Sequence, residues 1–296
     1  MSMQSILVPL DGSRFAEHAL PAARQLALRS GAMLSLVHVH VPIINVSLGM
    51  WNMGGVPIVD ERMDAEVRQY EQAYLQSIRE RFAADDLQIT CEILHGAVVP
   101  TLTEHAADMH ADLVIMTTHG HGAFSRVWLG SVADAFVRHS DIPTLLIRPA
   151  AEADTPTPKD QLPSIRQMLI PLDGSELAER ILEPACRLGD LLDVDYWLLS
   201  VVEPSEAGEQ ERAAHAYLDK MARELREQGH TIHTEVAVGQ PARTILDVAQ
   251  QHEIGLVALA THGRGGLSRL LLGSVADKVV RGAETPVLLV RPQADE

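Results

Sequence analysis

The chain has 296 residues and a formal net charge of −16, from 24 Lys and Arg against 40 Asp and Glu. Its length suits one large domain or two of ordinary size, and 46% hydrophobic with 22% charged residues is the balance of a packed protein, not a disordered one. Such acidity, without a Lys/Arg-rich run or a nucleic-acid motif, argues against nucleic acid or an anionic membrane surface as partner.

Aromatic residues make up only 4%, so the core must come from Val, Leu, Ile and Ala, as suits sheets covered by helices on both faces. Cys91 and Cys186 stand far apart in no CxxC pattern and read as buried thiols in a reducing compartment. Met1-Ser2-Met3-Gln4 leads straight into a strand-like run with no basic-then-apolar leader. The uncharged segment Val41 to Val59 is too rich in Gly, Pro and Asn for a spanning helix, so the expected location is the cytoplasm.

In chain order, Ser5–Leu10 is an apolar strand, and Ser13–Arg29 has helical periodicity that Pro21 should kink or loosen. Met33–Val39 reads as a strand, Asp60–Ala83 as a helix, Gln88–Leu94 as a strand and Val98–His110 as a helix. Asp112–Thr117 is a buried strand, Ser131–Arg138 a short helix and Thr144–Ile147 a last strand.

The same order then repeats. Ile6-Leu-Val-Pro-Leu-Asp-Gly-Ser13 returns as Met168-Leu-Ile-Pro-Leu-Asp-Gly-Ser175, at an offset of 162. Thr118-His-Gly120, Gly130-Ser-Val-Ala-Asp134 and the closing Pro-x-Leu-Leu-x-Arg-Pro run all return at an offset of 143. The first copy therefore carries 19 extra residues, which fall within 41–59. The expected organisation is a first domain over 1–149, a polar, proline-rich linker over 150–164 and a second domain over 165–296. Strands alternating with helices imply right-handed βαβ units. The expectation is two tandem open parallel five-stranded sheets of order 3-2-1-4-5, with helices on both faces and ligands at the carboxyl ends of the strands.

Polar and glycine-rich segments fall at those ends. Thr261 to Ser274 offers glycines that let backbone approach a ligand, then a Gly273-Ser274 helix start whose N–H groups and dipole favour an anion. Ser274 can cap that helix or donate to a phosphate oxygen, and Arg264 can supply charge. Neither GxxxxGK[ST] nor a GxGxxG after the first strand is present. Taken alone, the loop reads equally well as a tight turn whose glycines relieve strain.

Gly120 or Gly263, then nine residues, then Gly130-Ser131 or Gly273-Ser274 resembles the Gly-x2-Gly-x9-Gly-[Ser/Thr] pattern of the universal stress protein family, which also has an Asp after its first strand. The resemblance covers both halves and departs at the first glycine, where Thr117 and Ala260 stand. It implies a Rossmann-like fold that binds adenine nucleotide, with ATP and Mg as ligands. Asp11 and Asp173 would contact the nucleoside, Pro9-Leu10 and Pro171-Leu172 would line the adenine pocket, and the backbone of Val39 and Val201 would read the adenine edge. Gly120, His121, Gly122, Gly130, Ser131 and Val132 would hold phosphates in the first copy. Ala260, Gly263, Arg264, Gly265, Gly273, Ser274 and Val275 would do so in the second. Each Asp-Gly is also turn chemistry on its own.

Histidine is frequent, at 14. His38, His40, His119 and His121 lie at strand ends and could converge, but without Cys or ligand spacing they read as solvated or hydrogen-bonded side chains, and no metal site is expected. Three functions compete: an ATP-binding regulatory protein of the stress response, a slow ATPase, and an interaction scaffold without nucleotide. No dedicated base for phosphoryl transfer is visible, so an enzyme is not indicated. The apolar closing strands should pair with each other, since an exposed apolar edge invites association. Two chains are expected to form a homodimer, with a further protein partner open. The 41–59 segment should fold over the nearby site or against a partner.

Overall fold

The computed structural model describes residues 3–42, 44–45, 58–59, 61–83, 85–118, 129–149, 165–206, 208–263 and 272–292. Strand β1 (Ser5–Pro9) is the first apolar run, with Ile6, Leu7 and Val8 fully buried. The single helix expected next is divided into a 3-10 turn, Ala16–Ala19, and α1 (Leu20–Ser30). Pro21 explains the division: it lacks an N–H to continue a helix but fits the first turn of a new one. Gly31, at φ 72°, ends α1 in the left-handed conformation.

Then follow β2 (Met33–His40), α2 (Glu61–Arg81), β5 (Ile89–His95), α3 (Val98–Asp108), β6 (Leu113–Thr117), α4 (Ser131–His139) and β7 (Thr144–Ile147). Between β2 and α2, the short strands β3 (Ile44–Asn45) and β4 (Ile58–Val59) pair antiparallel, Ile44 with Val59, which brings the two ends of the 41–59 segment together. Its residues 46–57, and the expected 150–164 linker, lie outside the described residues.

The second copy comprises β8 (Gln167–Pro171), α5 (Glu176–Glu179), α6 (Leu182–Leu192), β9 (Asp195–Val202), α7 (Glu209–Glu227), β10 (Ile232–Val238), α8 (Pro241–Gln251), β11 (Leu256–Ala260), α9 (Ser274–Gly282) and β12 (Val287–Val290).

The ten long strands form one sheet of order β10-β9-β8-β11-β12-β7-β6-β1-β2-β5. Each half is parallel and has the expected 3-2-1-4-5 order. The halves join through the closing strands, β12 antiparallel to β7, with Leu288 opposite Leu145. Both leucines are nearly inaccessible, at 0% and 2%. Burial of each such side chain contributes roughly 1.5–3 kcal/mol, and the backbone groups of two sheet edges are satisfied at once.

Alternation along the strands divides the core into two layers. Ile6, Val8, Leu145 and Leu288 face the helices α1, α2, α6 and α7. Leu7, Val114, Leu146 and Leu289 face α3, α4, α8 and α9. Polar links also cross between the copies: Arg187 donates to Asp112 at 2.7 Å, Arg148 to the Ala283 carbonyl at 2.8 Å and Arg29 to the Leu191 carbonyl at 2.7 Å. Among the described residues no helix is long and apolar enough to cross a membrane.

Candidate functional site

The carboxyl ends of β8, β9 and β11 open into a cleft of ≈ 260 Å³ beside the start of α9. It gathers Pro171, Leu172, Asp173, Val201, Ala260, Gly263, Gly273, Ser274 and Val275, nine of the residues singled out in the second copy. Arg264 and Gly265 lie outside the described residues. The period-2 geometry of β9 puts Leu199 and Val201 on the cleft side, where Leu259 and Ile245 complete an apolar bed.

Asp173 stands at one wall. Its Oδ1 accepts from the Ser175 amide at 3.0 Å and from the Ser175 hydroxyl at 2.6 Å, so this carboxylate does form the turn that Asp-Gly alone suggests. Gly174, at φ 80°, makes that turn possible. The other oxygen, Oδ2, faces Gly263, where a Cβ would collide with it. A larger residue there would force the Asp173 carboxylate to move.

The opposite wall is the N-terminus of α9. Gly273, at φ −57° and ψ 146°, precedes the helix without a side-chain cap. Its own N–H is held by the Thr261 carbonyl at 2.9 Å, which ties the helix start to the end of β11. A Cβ on Gly273 would lie 2.6 Å from that carbonyl oxygen. Ser274, Val275 and Ala276 all line the cleft, and their N–H groups precede any intrahelical acceptor. They make the cleft floor electropositive without a charged side chain.

The first copy repeats the backbone part of this frame. Leu10 N–H donates to the Val37 carbonyl at 2.8 Å, as Leu172 does to Leu199 at 2.8 Å. Ser13 N–H donates to Asp11 Oδ1 at 2.9 Å. Gly130, at φ −58° and ψ 145°, donates to the Thr118 carbonyl at 2.6 Å and opens α4 at Ser131 and Val132. Pro9 and Val39 end β1 and β2 at the matching edge. Gly120, His121 and Gly122 lie outside the described residues.

Eight lining residues of the second cleft were not among those singled out from the sequence; among them are Pro241 and Ile245 from α8, and Thr261 and His262 after β11. The helical pair was legible as i, i+4 neighbours, but nothing local says that α8 covers this end of the sheet. His262 Nδ1 meets Thr261 Oγ1 at 2.9 Å, while its Nε2 is buried without a hydrogen-bond partner beside the cleft. The signal for it was present, since Thr-His-Gly recurs in both copies.

The histidine convergence at the strand ends takes another form. His38 and His40 point to the α2 side of the sheet, away from the cleft face. His40, 1% exposed, sits between Asp64 and Glu71 at 2.9 and 2.8 Å, and His38 meets Glu71 at 3.2 Å. These carboxylates come from α2, which a strand-end reading does not take in. His119 and His121 lie outside the described residues. Among the described residues no cluster has the geometry of a metal centre.

The protein is thus an α/β protein with doubly wound parallel halves, whose apolar bed, carboxylate and bare helix N-terminus gather at the carboxyl edge, where open sheets of this kind take their ligands. A profile of the Universal stress protein family matches residues 3–148 and again 164–291, so the chain belongs to that family, in tandem form. It is 27% identical to a universal stress protein of Mycolicibacterium smegmatis, covering 97% of each chain. It is 30% identical to universal stress protein MT2052 of Mycobacterium tuberculosis, covering 98% of this chain and 96% of the relative. In fold it is similar to a universal stress protein of Archaeoglobus fulgidus, with a TM-score of 0.76 at 18% identity, over 97% of this chain and 98% of the other.

Proposed function

We propose that this chain is an ATP-binding regulatory protein of the stress response, and that the cleft of the second copy is its stronger nucleotide site. The observation that carries this reading is the meeting, in one cleft, of an apolar bed, Asp173 and the uncapped N-terminus of α9. Leu199, Val201 and Ile245 offer a surface for a purine. Asp173 suits ribose hydroxyls, and the amides of Ser274 to Ala276 suit phosphate oxygens.

Mg accompanies the phosphates in this reading. The described lining offers Asp173 and the Ser274 hydroxyl as oxygen donors, which fits an ion that draws most of its ligands from phosphate and water. Bound Mg would neutralise phosphate charge in a protein that is itself strongly acidic.

The role is binding rather than turnover. Phosphoryl transfer needs a positioned cation, a metal-holding carboxylate and a group that orients the nucleophile. The described lining contains one carboxylate, and Ser175 already engages one of its oxygens. We place the protein in the cytoplasm, as its two unpaired cysteines suggest. A homodimer would need a surface other than β7 and β12, because those strands pair within the chain.

Protein purified without added ligand should carry adenine nucleotide, and ATP should titrate into nucleotide-free protein. Absence of both would favour a scaffold that works without nucleotide. Steady-state phosphate release on adding ATP would favour the slow ATPase.

A further inference from the structure

The two copies share a fold but differ in charge between the first two long helices on the sheet face opposite the cleft. In the first copy, the gap between α1 and the end of α2 holds two guanidinium groups. Arg24 makes a two-pronged pair with Asp85, at 2.7 and 2.6 Å. Arg81 bonds to the buried Glu17, which also accepts from Tyr74 at 3.4 Å.

The repeat offsets place Cys186 where the first copy has Arg24, Glu224 where it has Arg81, and Gln228 where it has Asp85. The frame itself is kept, since Tyr217 donates to Glu179 at 3.0 Å as Tyr74 does to Glu17. Both cations are thus gone, while one carboxylate is lost and another gained.

A groove of ≈ 520 Å³ occupies this position between α6 and α7. Its floor includes Cys186, Met221 and Leu225, and its rim carries Glu179, Glu183 and Glu224. Arg180 and Arg187 are the basic side chains of the described lining, and Arg187 is turned towards Asp112 at 2.7 Å. Asp190 meets His230 at 3.4 Å.

We propose that this groove binds a small organic cation with two charged ends on an aliphatic stem, an aminoalkylguanidine or a diamine. The first copy supplies the reason: the same frame, filled from within, holds guanidinium groups against carboxylates. In the second copy Cys186 and Glu224 stand where Arg24 and Arg81 did; Glu179, which accepts from Tyr217, and Glu224, which meets Lys220 at 3.8 Å on the exposed rim, each have lone pairs left for a fork of N–H donors. The apolar floor suits a methylene stem, as buried Lys and Arg stems do elsewhere. Its site and ligand are separate from the nucleotide cleft.

Agmatine is the probe. The full-length protein is alkylated slowly at about pH 9, where the small thiolate fraction of each cysteine reacts, and modification of Cys186 and Cys91 is followed separately by peptide mass. Agmatine should slow Cys186, which lines the groove, and leave Cys91 unchanged against sodium chloride of equal ionic strength. Glu224→Arg, at an exposed position, restores the first copy's residue and should weaken protection at least about tenfold. Calorimetric titration should give heat with the unaltered protein and none with Cys186→Arg. Equal slowing of both cysteines, no slowing, or protection that survives Glu224→Arg would overturn the proposal.

Discussion

Asp112, at the start of β6 in the first copy, accepts a hydrogen bond from Arg187 of α6 in the second copy at 2.7 Å. The same carboxylate receives the Gln4 amide at 2.7 Å and the Ser5 amide at 3.1 Å. The link runs one way only: the repeat offsets put Gly255 and Gln25 at the reciprocal positions. Burial opposes the charged form of Asp112, but the Arg187 hydrogen bond, the two amides and the Arg187 charge together hold its pKa below the ordinary carboxylate value.

Asp112→Ala should therefore lower stability by about 1–3 kcal/mol, since it strands amides and a guanidinium together. A depressed folded-state pKa contributes stability above the unfolded value near 4 and loses it as the pH falls through the lower folded value. The gap between wild type and variant should be full at neutral pH and shrink below about pH 4. Urea denaturation across that range measures it; a gap that widens on acidification would contradict the geometry.

The joining strands should be the last part of the sheet to open. Backbone amides of Leu145 and Leu288 should be among the slowest to exchange with deuterium. Leu288→Ala should cost about 2–5 kcal/mol, because the site is closed on both sides. Rapid exchange in both strands of the native protein would show that the halves separate readily.

His40→Ala should remove the imidazole that two α2 carboxylates share, leaving Asp64 and Glu71 poorly solvated. Its expected cost is about 1–3 kcal/mol, the range for leaving buried hydrogen-bonding groups short of a partner. By the repeat offsets, the second copy has Val202 at the position of His40, and Ala207 and Ala214 at those of Asp64 and Glu71. A triple His40→Val, Asp64→Ala, Glu71→Ala variant should thus be more stable than His40→Ala alone. Chemical denaturation of the two variants decides it.

The Cys186 thiol is pushed up to about 11, first by burial and then by the Asp190 charge. At neutral pH it should react with iodoacetamide well below the rate of a free thiol. The rate should climb roughly tenfold per pH unit until the pH nears that value. A plateau below pH 9 would show that the thiol is not held protonated.

ATP should bind the second copy more tightly than the first. Arg264 in one loop corresponds to His121 in the other, and at neutral pH a histidine carries little charge; both residues lie outside the described structure. A charge-assisted hydrogen bond amounts to roughly 1.5–3 kcal/mol, or about tenfold and more in affinity. Gly273→Val should abolish the tighter site, since its side chain would press on the Thr261 carbonyl and displace the α9 start. Gly130→Val should spare it. Circular dichroism confirms that both variants fold, and the reverse ATP titrations would overturn the assignment.

The repeat, the strand-helix alternation, the 3-2-1-4-5 order and the Gly-Ser helix starts were all legible in the chain. The elements and the repeat are written in local pattern: apolar runs, helical spacing, a proline that interrupts a helix, and glycines where backbone must pass close to something; the strand order goes with the fold class rather than with any local pattern. Tertiary structure decided what those elements meet. The pairing of the apolar closing strands was expected from the sequence; the structure set its antiparallel register, Leu145 opposite Leu288, and so made one sheet of two. It brought Ile245 from α8 across the bed that β9 and β11 begin, and it turned His38 and His40 to α2 rather than the cleft. Strand alternation alone cannot say which face receives which helix. The vacated groove at Cys186 needed both levels, since the sequence shows that Arg24, Arg81 and Asp85 were replaced, but only packing shows that the three had filled one space.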